Sequence, residues 1–163
     1  MLIRVKNKDT LLLDDFIFRC AVGKSGTKFN KKEGDFYTPK GTFGIKKLYY
    51  RADRIKKPFT KIITKKIKKN MGWCNDSENN RYNSLIKLKS GVRSEKMFRK
   101  DNKYDLVLIL DYNLKKPIPF KGSAIFIHIT KDYKKTAGCV TLKEKDLLIL
   151  LKLIKKNTKV KIY

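Results

Sequence analysis

Asp105-Leu106-Val107-Leu108-Ile109-Leu110 and Ala124-Ile125-Phe126-Ile127-His128 are the two stretches whose reading decides the fold. Each holds an unbroken apolar run of strand length, rich in β-branched or aromatic side chains. That composition suits a central strand covered on both faces better than a half-wetted edge. The two runs are expected to pair in the core sheet. Pro117 and Pro119 lie between them and mark the connection, since neither can donate to a ladder.

Toward the N-terminus, Met1 to Lys6 alternates apolar and polar residues with the period of a half-buried strand. Leu11-Leu12-Leu13 and Phe16-Ile17-Phe18 read as a hairpin, or as one strand bent at Asp14-Asp15. A stretch with Gly34, Pro39 and Gly41 but few large apolar residues follows between Thr27 and Gly44, and is expected to be a loop; loops of that length are often functional. A strand is expected from Phe43 to Tyr50. The Lys-rich stretch Lys56 to Lys69 reads as a solvated face over Ile62, Ile63 and Ile67, and Asn70 to Arg81 as an irregular loop anchored by Trp73.

Toward the C-terminus, Thr141 and Glu144 have capping-box spacing ahead of Leu147, Leu148, Leu151 and Ile154, which share one helix face. A helix over about 142–156 is therefore expected, with Lys152, Lys155 and Lys156 in its last turns and a final strand from Val160 to Tyr163. The full set of expected strands is 2–6, 11–20, 43–50, 106–111, 124–129 and 158–163. The fold class that results is mainly β with a C-terminal helix.

The chain has 163 residues, 41% hydrophobic and 34% charged, which fits one ordinary domain burying about two-thirds of its unfolded surface. That composition excludes a disordered chain. No apolar stretch approaches the ~20 residues that span a bilayer, so no transmembrane segment is expected, and no signal peptide is visible at the N-terminus. Lys and Arg number 41 against 15 acidic residues, for a net charge of +26. Such a field attracts acidic polymers or nucleic acid, so a basic nucleic-acid-binding module stands as a function of a different class from an enzyme. It would show affinity that falls steeply with salt.

Cys20, Cys74 and Cys139 are far apart, and with a single His the chain lacks the usual zinc spacing, so no structural metal is expected. Cys20 and Cys74 could be bridged or could both be ordinary buried thiols. Cys139 follows Gly138 at what reads as a strand-to-helix turn, where partial positive charge at a helix N-terminus would lower a thiol pKa. Backbone N–H groups of the same turn could bind an oxyanion, with Gly138 allowing close approach. His128, the one imidazole, closes the strand Ala124 to Ile127 and could serve such a thiol as base.

The sequence His128 followed by Thr136-Ala137-Gly138-Cys139-Val140 resembles the His and Ser/Thr-x-Gly-Cys signature of L,D-transpeptidases. Gly34-Asp35-Phe36-Tyr37-Thr38-Pro39-Lys40-Gly41-Thr42-Phe43 is similar to their upstream G-D-x-x-T-P-x-G-x-F segment. Tyr50 to Arg54, Gly72-Trp73-Cys74, Arg81-Tyr82-Asn83, Tyr104-Asp105 and Gly122 to Phe126 also resemble small proteobacterial members, so the likeness covers nearly the whole chain. Ala137 stands where many members carry His, Thr141 where they carry Arg or Asn, and the interval from His128 to Cys139 is short for the family.

The resemblance implies a YkuD-type β-sandwich over residues 1–163, with the helix packed near the active-site turn. It implies a peptidoglycan L,D-transpeptidase with Cys139 as nucleophile, His128 as base, the N–H groups of Gly138 and Cys139 as oxyanion donors, and no cofactor or metal. Thr136, Arg54, Trp73, Arg81, Tyr82 and Asn83 are the residues it suggests for substrate. With Thr141 replacing a cation, Arg54 or Arg81 is expected to meet the substrate carboxylate. Peptidoglycan stem peptides are the implied partner, with no specific nucleic acid, a monomeric state, and a periplasmic or wall-facing location. The same dyad could instead hydrolyse stem peptides or peptidoglycan–protein links.

Overall fold

A computed structural model describes residues 1–88 and 91–163. Its strands are β1 (Leu2–Lys6), β2 (Thr10–Leu13), β3 (Phe16–Arg19), β4 (Gly26–Lys28), β5 (Tyr37–Pro39), β6 (Gly41–Tyr50) and β7 (Thr64–Lys66), followed by β8 (Met71–Cys74), β9 (Leu85–Lys87), β10 (Ser94–Lys96), β11 (Leu106–Leu110), β12 (Phe126–Ile129) and β13 (Val140–Leu142). Helix α1 (Glu144–Leu153) and strand β14 (Lys159–Ile162) complete the chain. The fold is mainly β with one short helix, as the sequence implies.

The main sheet runs β13-β12-β11-β6-β14-β1-β2-β3, with β7 paired to β6. It nearly closes on itself: just past β3, Ala21 and Thr141 of β13 exchange backbone hydrogen bonds at 3.1 and 2.9 Å. A smaller sheet, β10-β8-β9, covers part of one face. The period-2 alternation of side chains sorts the central strands onto two cores. Leu106, Leu108 and Leu110 of β11 and Ile127 and Ile129 of β12 join the larger core, whereas Val107, Ile109 and Phe126 join the other with Trp73, Tyr104 and Cys139. Continuous apolar runs thus arise because both faces are buried.

Helix α1 lays Leu147, Leu150 and Leu151 on the larger core. It begins later than the capping-box reading places it. Thr141 is not a cap but the middle of β13, paired with His128 in a parallel ladder, and the N-cap is Lys143 without a side-chain bond. One cap bond is worth about 1 kcal/mol. Three ladder pairs to β12 together with the Ala21 bridge outweigh it. Phe16 to Arg19 forms a hairpin with β2 across Asp14-Asp15, which settles the choice left open there. The stretches expected as loops carry short strands: β4 and β5 between Thr27 and Gly44, and β8 within Asn70 to Arg81.

Candidate active site

β12 and β13 run parallel, with Ile127 opposite Val140 and His128 opposite Thr141. Since side chains alternate, His128 and Phe126 share one face with Thr141 and Cys139, while Val140 and Leu142 turn to the larger core. The strand spacing of ~4.8 Å and a two-residue offset along the strand put the Cα atoms of His128 and Cys139 about 8 Å apart. Both residues line a cavity of about 570 Å³.

The Cys139 thiol donates to the Ala124 carbonyl at 3.1 Å. Its approach is fixed by Gly138, whose φ is +153° and whose absent Cβ would lie 2.9 Å from the Tyr37 carbonyl oxygen. No other residue fits there without moving backbone. Thr136 staples the same turn, donating through Oγ1 to the Cys139 carbonyl at 2.6 Å and accepting from the Gly138 N–H at 3.0 Å. The turn is further tied to Val22 and Lys24 by backbone bonds of Thr136.

His128 Nδ1 lies 3.0 Å from the Ile129 carbonyl oxygen. A carbonyl only accepts, so Nδ1 carries the proton and Nε2 keeps its lone pair for a neighbour. Tyr104 packs edge to face on the ring at 5.1 Å and also against Phe126, which Trp73 meets on another edge. The imidazole is held by one carbonyl and one aromatic ring.

The electrostatics differ from the expectation for a helix-start cysteine. Burial pushes the Cys139 thiol up to about 12, the Glu95 charge adds to this, and the Phe126 N–H and Lys31 oppose it. Burial likewise pushes His128 down to about 4, against the Ile129 bond and with help from Lys103 and Arg99. With helix α1 starting only at Glu144 and packed on the reverse face, its dipole does not reach the sulfur. Near neutral pH the pair is thiol plus neutral imidazole.

Over residues 2–162 the chain matches the family model described as YkuD, L,D-transpeptidase catalytic domain. The chain belongs to this family. No match is found among curated proteins. Among solved structures, an L,D-transpeptidase from Mycobacterium smegmatis aligns with a TM-score of 0.44 and 10% identity, covering 99% of this chain and 57% of that one. The chain thus spans little more than half the length of that neighbour.

Within this L,D-transpeptidase domain, the residues suggested for substrate separate into two groups. Thr136 lines the cavity, yet its hydroxyl is spent on the turn. Trp73 is buried beneath the site and donates to Asn83 Oδ1 at 2.9 Å. Asn83 also accepts from the Ala124 N–H and donates to the carbonyls of Tyr112 and Asn113, which makes it the clamp for the start of the His128 strand. Tyr82 accepts from the Gly122 N–H and donates to Glu33.

Neither Arg54 nor Arg81 lines the cavity. Arg54 pairs with Asp105 at 3.0 Å and donates to the Asp101 and Lys100 carbonyls, and Arg81 is exposed and donates to the Leu85 carbonyl. The cations on the cavity wall are instead Lys24, Lys31, Arg99, Lys103, Lys134 and Lys135. Sequence reasoning also missed Glu33, Glu95 and Ser123, which line it too. Tyr104 and Ser123 sat within segments that resemble the family, but nothing in their spacing showed which face they take. Cys20, Cys74 and Cys139 are all free thiols, so the bridge is excluded in this state. Among the described residues no group of three or more His, Cys, Asp or Glu could hold a metal ion, and no helix is long and apolar enough to cross a membrane.

Proposed function

We propose that this cavity performs acyl transfer on peptidoglycan stem peptides, with Cys139 as nucleophile and His128 as base, and that it forms cross-links when an amine is the acceptor. The observation that carries this reading is the register of β12 and β13, which sets both side chains on one face and in one cavity, with the His128 tautomer set by Ile129.

A neutral pair implies proton transfer coupled to attack. His128 Nε2 takes the thiol proton as sulfur bonds to the donor carbonyl carbon. The tetrahedral oxyanion then collapses, the C–N bond breaks, and the departing amine takes the proton from His128, leaving a thioester on Cys139. An acceptor amine attacks the thioester and gives its proton to His128. The C–S bond breaks, and the sulfur recovers the proton. The Cys139 and Gly138 N–H groups serve the oxyanion, and at Gly138 the oxyanion displaces the Thr136 hydroxyl that now occupies that donor. The lysines of the rim suit a substrate bearing several carboxylates.

The test is incubation with purified muropeptides followed by mass spectrometry of the products. A shortened donor and an amine-linked dimer are expected. Shortened monomer alone would replace the transferase reading by a hydrolase that uses the same pair. Inertness of the folded protein toward every stem peptide, with salt-sensitive affinity for nucleic acid, would favour the other class of function.

A further inference from the structure

Glu33 and Glu95 are two carboxylates on the cavity wall in a chain with only 15 acidic residues against 41 basic ones. Among the described residues neither takes part in an ion pair, although the nearby cations do: Lys31 pairs with Asp35 and Arg99 with Asp101. Each carboxylate is instead held by a buried tyrosine, Glu33 by the Tyr82 hydroxyl and Glu95 by the Tyr104 hydroxyl, both at 2.5 Å. They come from different parts of the chain. Glu33 lies between β4 and β5 with its N–H on the Phe120 carbonyl, and Glu95 lies in β10 opposite Trp73. Burial raises the Glu95 carboxyl, the Tyr104 hydroxyl and Arg99 lower it, and the Glu33 charge adds the smallest share, in the raising direction.

Three further polar atoms of the cavity lining have no hydrogen-bond partner among the described residues: Thr141 Oγ1, on the strand opposite His128, and one each on Ser123 and Asn75. Ser123 is only 7% exposed, lines the cavity, and leaves its hydroxyl uncommitted, and Asn75 lines it with a buried, uncommitted Oδ1. Ser123 follows Gly122, whose N–H goes to the same Tyr82 hydroxyl that holds Glu33. Asn75 follows Cys74, which pairs with Ser94 beside Glu95. A buried polar atom without a partner is costly, and two carboxylates without a cation beside two uncommitted oxygens form a set of acceptors that one cationic N–H donor would satisfy together. A primary ammonium has three N–H donors and a unit charge.

We propose that Glu33 and Glu95, with Ser123 and Asn75, form a subsite for a primary ammonium that seats the amine-bearing acceptor next to Cys139. The inference rests on the acyl-transfer reading for the identity of that amine as acceptor, and the bound ammonium gives one proton to the Glu95 carboxylate before attack, which frees the lone pair that bonds to the thioester carbon. It adds the opposite sign of charge to a cavity whose other charged residues are six cations and Asp132, itself paired with Lys134, so that a peptide carrying both carboxylates and an ammonium is bound in one orientation.

The binding test uses the Cys139→Ser protein and two probes followed by NMR titration: Nα-acetyl-lysine amide, with one free ammonium, and Nα-acetyl-norleucine amide, without it. The lysine probe is expected to bind at least about tenfold more tightly, with shifts at Ser123 and Asn75, and the preference should vanish in Glu33→Gln/Glu95→Gln. Gln keeps an acceptor for each tyrosine, and either single variant should lose part of the preference if the double does not fold. Equal binding of the two probes, or a preference that survives the double variant, would overturn the subsite. In turnover, Glu95→Gln should raise the acceptor KM about tenfold and shift products from dimer toward hydrolysed donor, whereas the exposed Glu78→Gln should not. An unchanged acceptor KM in active Glu95→Gln would sink the subsite and spare the transferase reading. Inertness toward stem peptides alongside an intact, Glu-dependent lysine preference would do the reverse.

Discussion

Strand β12 sends Ile127 and Ile129 to one side of the main sheet, where α1 covers them with Leu147, Leu150 and Leu151, and sends Phe126 and His128 to the other, where Trp73, Tyr104 and Cys139 gather. The first side is built from aliphatic and aromatic side chains packed on one another. The second is also buried, but its hydroxyls, carboxylates and one imidazole meet in an opening of about 570 Å³. Four successive residues therefore divide folding from chemistry. Stability can be concentrated on the helix side, which leaves the other side free to hold groups in states that cost energy, such as a neutral His and an unpaired carboxylate.

If that division is correct, changes on the site side act first on turnover. Cys139→Ser and His128→Ala should each lower turnover at least about 10³-fold, and the double variant should lose little more, because the two act as one unit. Stem-peptide turnover by purified single and double variants checks this, and additive losses would separate the pair. Cys20→Ser and Cys74→Ser should stay active.

The mirror experiment is Leu150→Ala on the helix side. It should cost about 2–5 kcal/mol in denaturant unfolding while turnover per folded molecule stays unchanged. A fall in turnover at full folding would show that the two sides are mechanically coupled.

A smaller effect concerns pH. His128 is held neutral by burial, with its pKa pushed down to about 4 from an ordinary value near 6.5. Between those values the unfolded chain binds a proton that the folded chain does not. Stability from this group is thus fully present above pH 6.5 and is lost as pH falls toward 4, by about 3 kcal/mol. Unfolding free energies of wild type and His128→Gln from pH 7 to 4 should diverge by that amount, and parallel curves would mean the imidazole is charged or wetted.

The least demanding effect is on the thiol. With burial pushing Cys139 up to about 12, its alkylation by iodoacetamide should still rise about tenfold per pH unit at pH 9. A plateau below pH 8 would restore the low-pKa thiolate that a helix-start cysteine predicts.

How far the sequence carried the fold follows from the range of each signal. The runs Leu106–Leu110 and Phe126–Ile129 were legible because a strand buried on both faces is apolar at every position. The order of His128 and Cys139 was legible as a motif. Val140-Thr141-Leu142 was not legible as a strand, since three residues read equally well as the lead-in to a helix and only pairing with β12 decides. Arg54 showed its charge in the sequence but not its Asp105 partner, 51 positions away. Glu33 and Glu95 likewise belong to separate segments that only the fold brings together.

The most direct test of the central claim is where the acyl group goes. Wild-type protein mixed with a stem-peptide donor, quenched in acid and mapped by peptide mass spectrometry, should carry the donor acyl mass on the peptide containing Cys139. The mass should be absent from Cys139→Ser and greatly reduced in His128→Ala. An adduct on Cys20 or Cys74, or donor consumed with no adduct at Cys139 at any quench time, would contradict the assignment of Cys139 and His128 as the reacting pair.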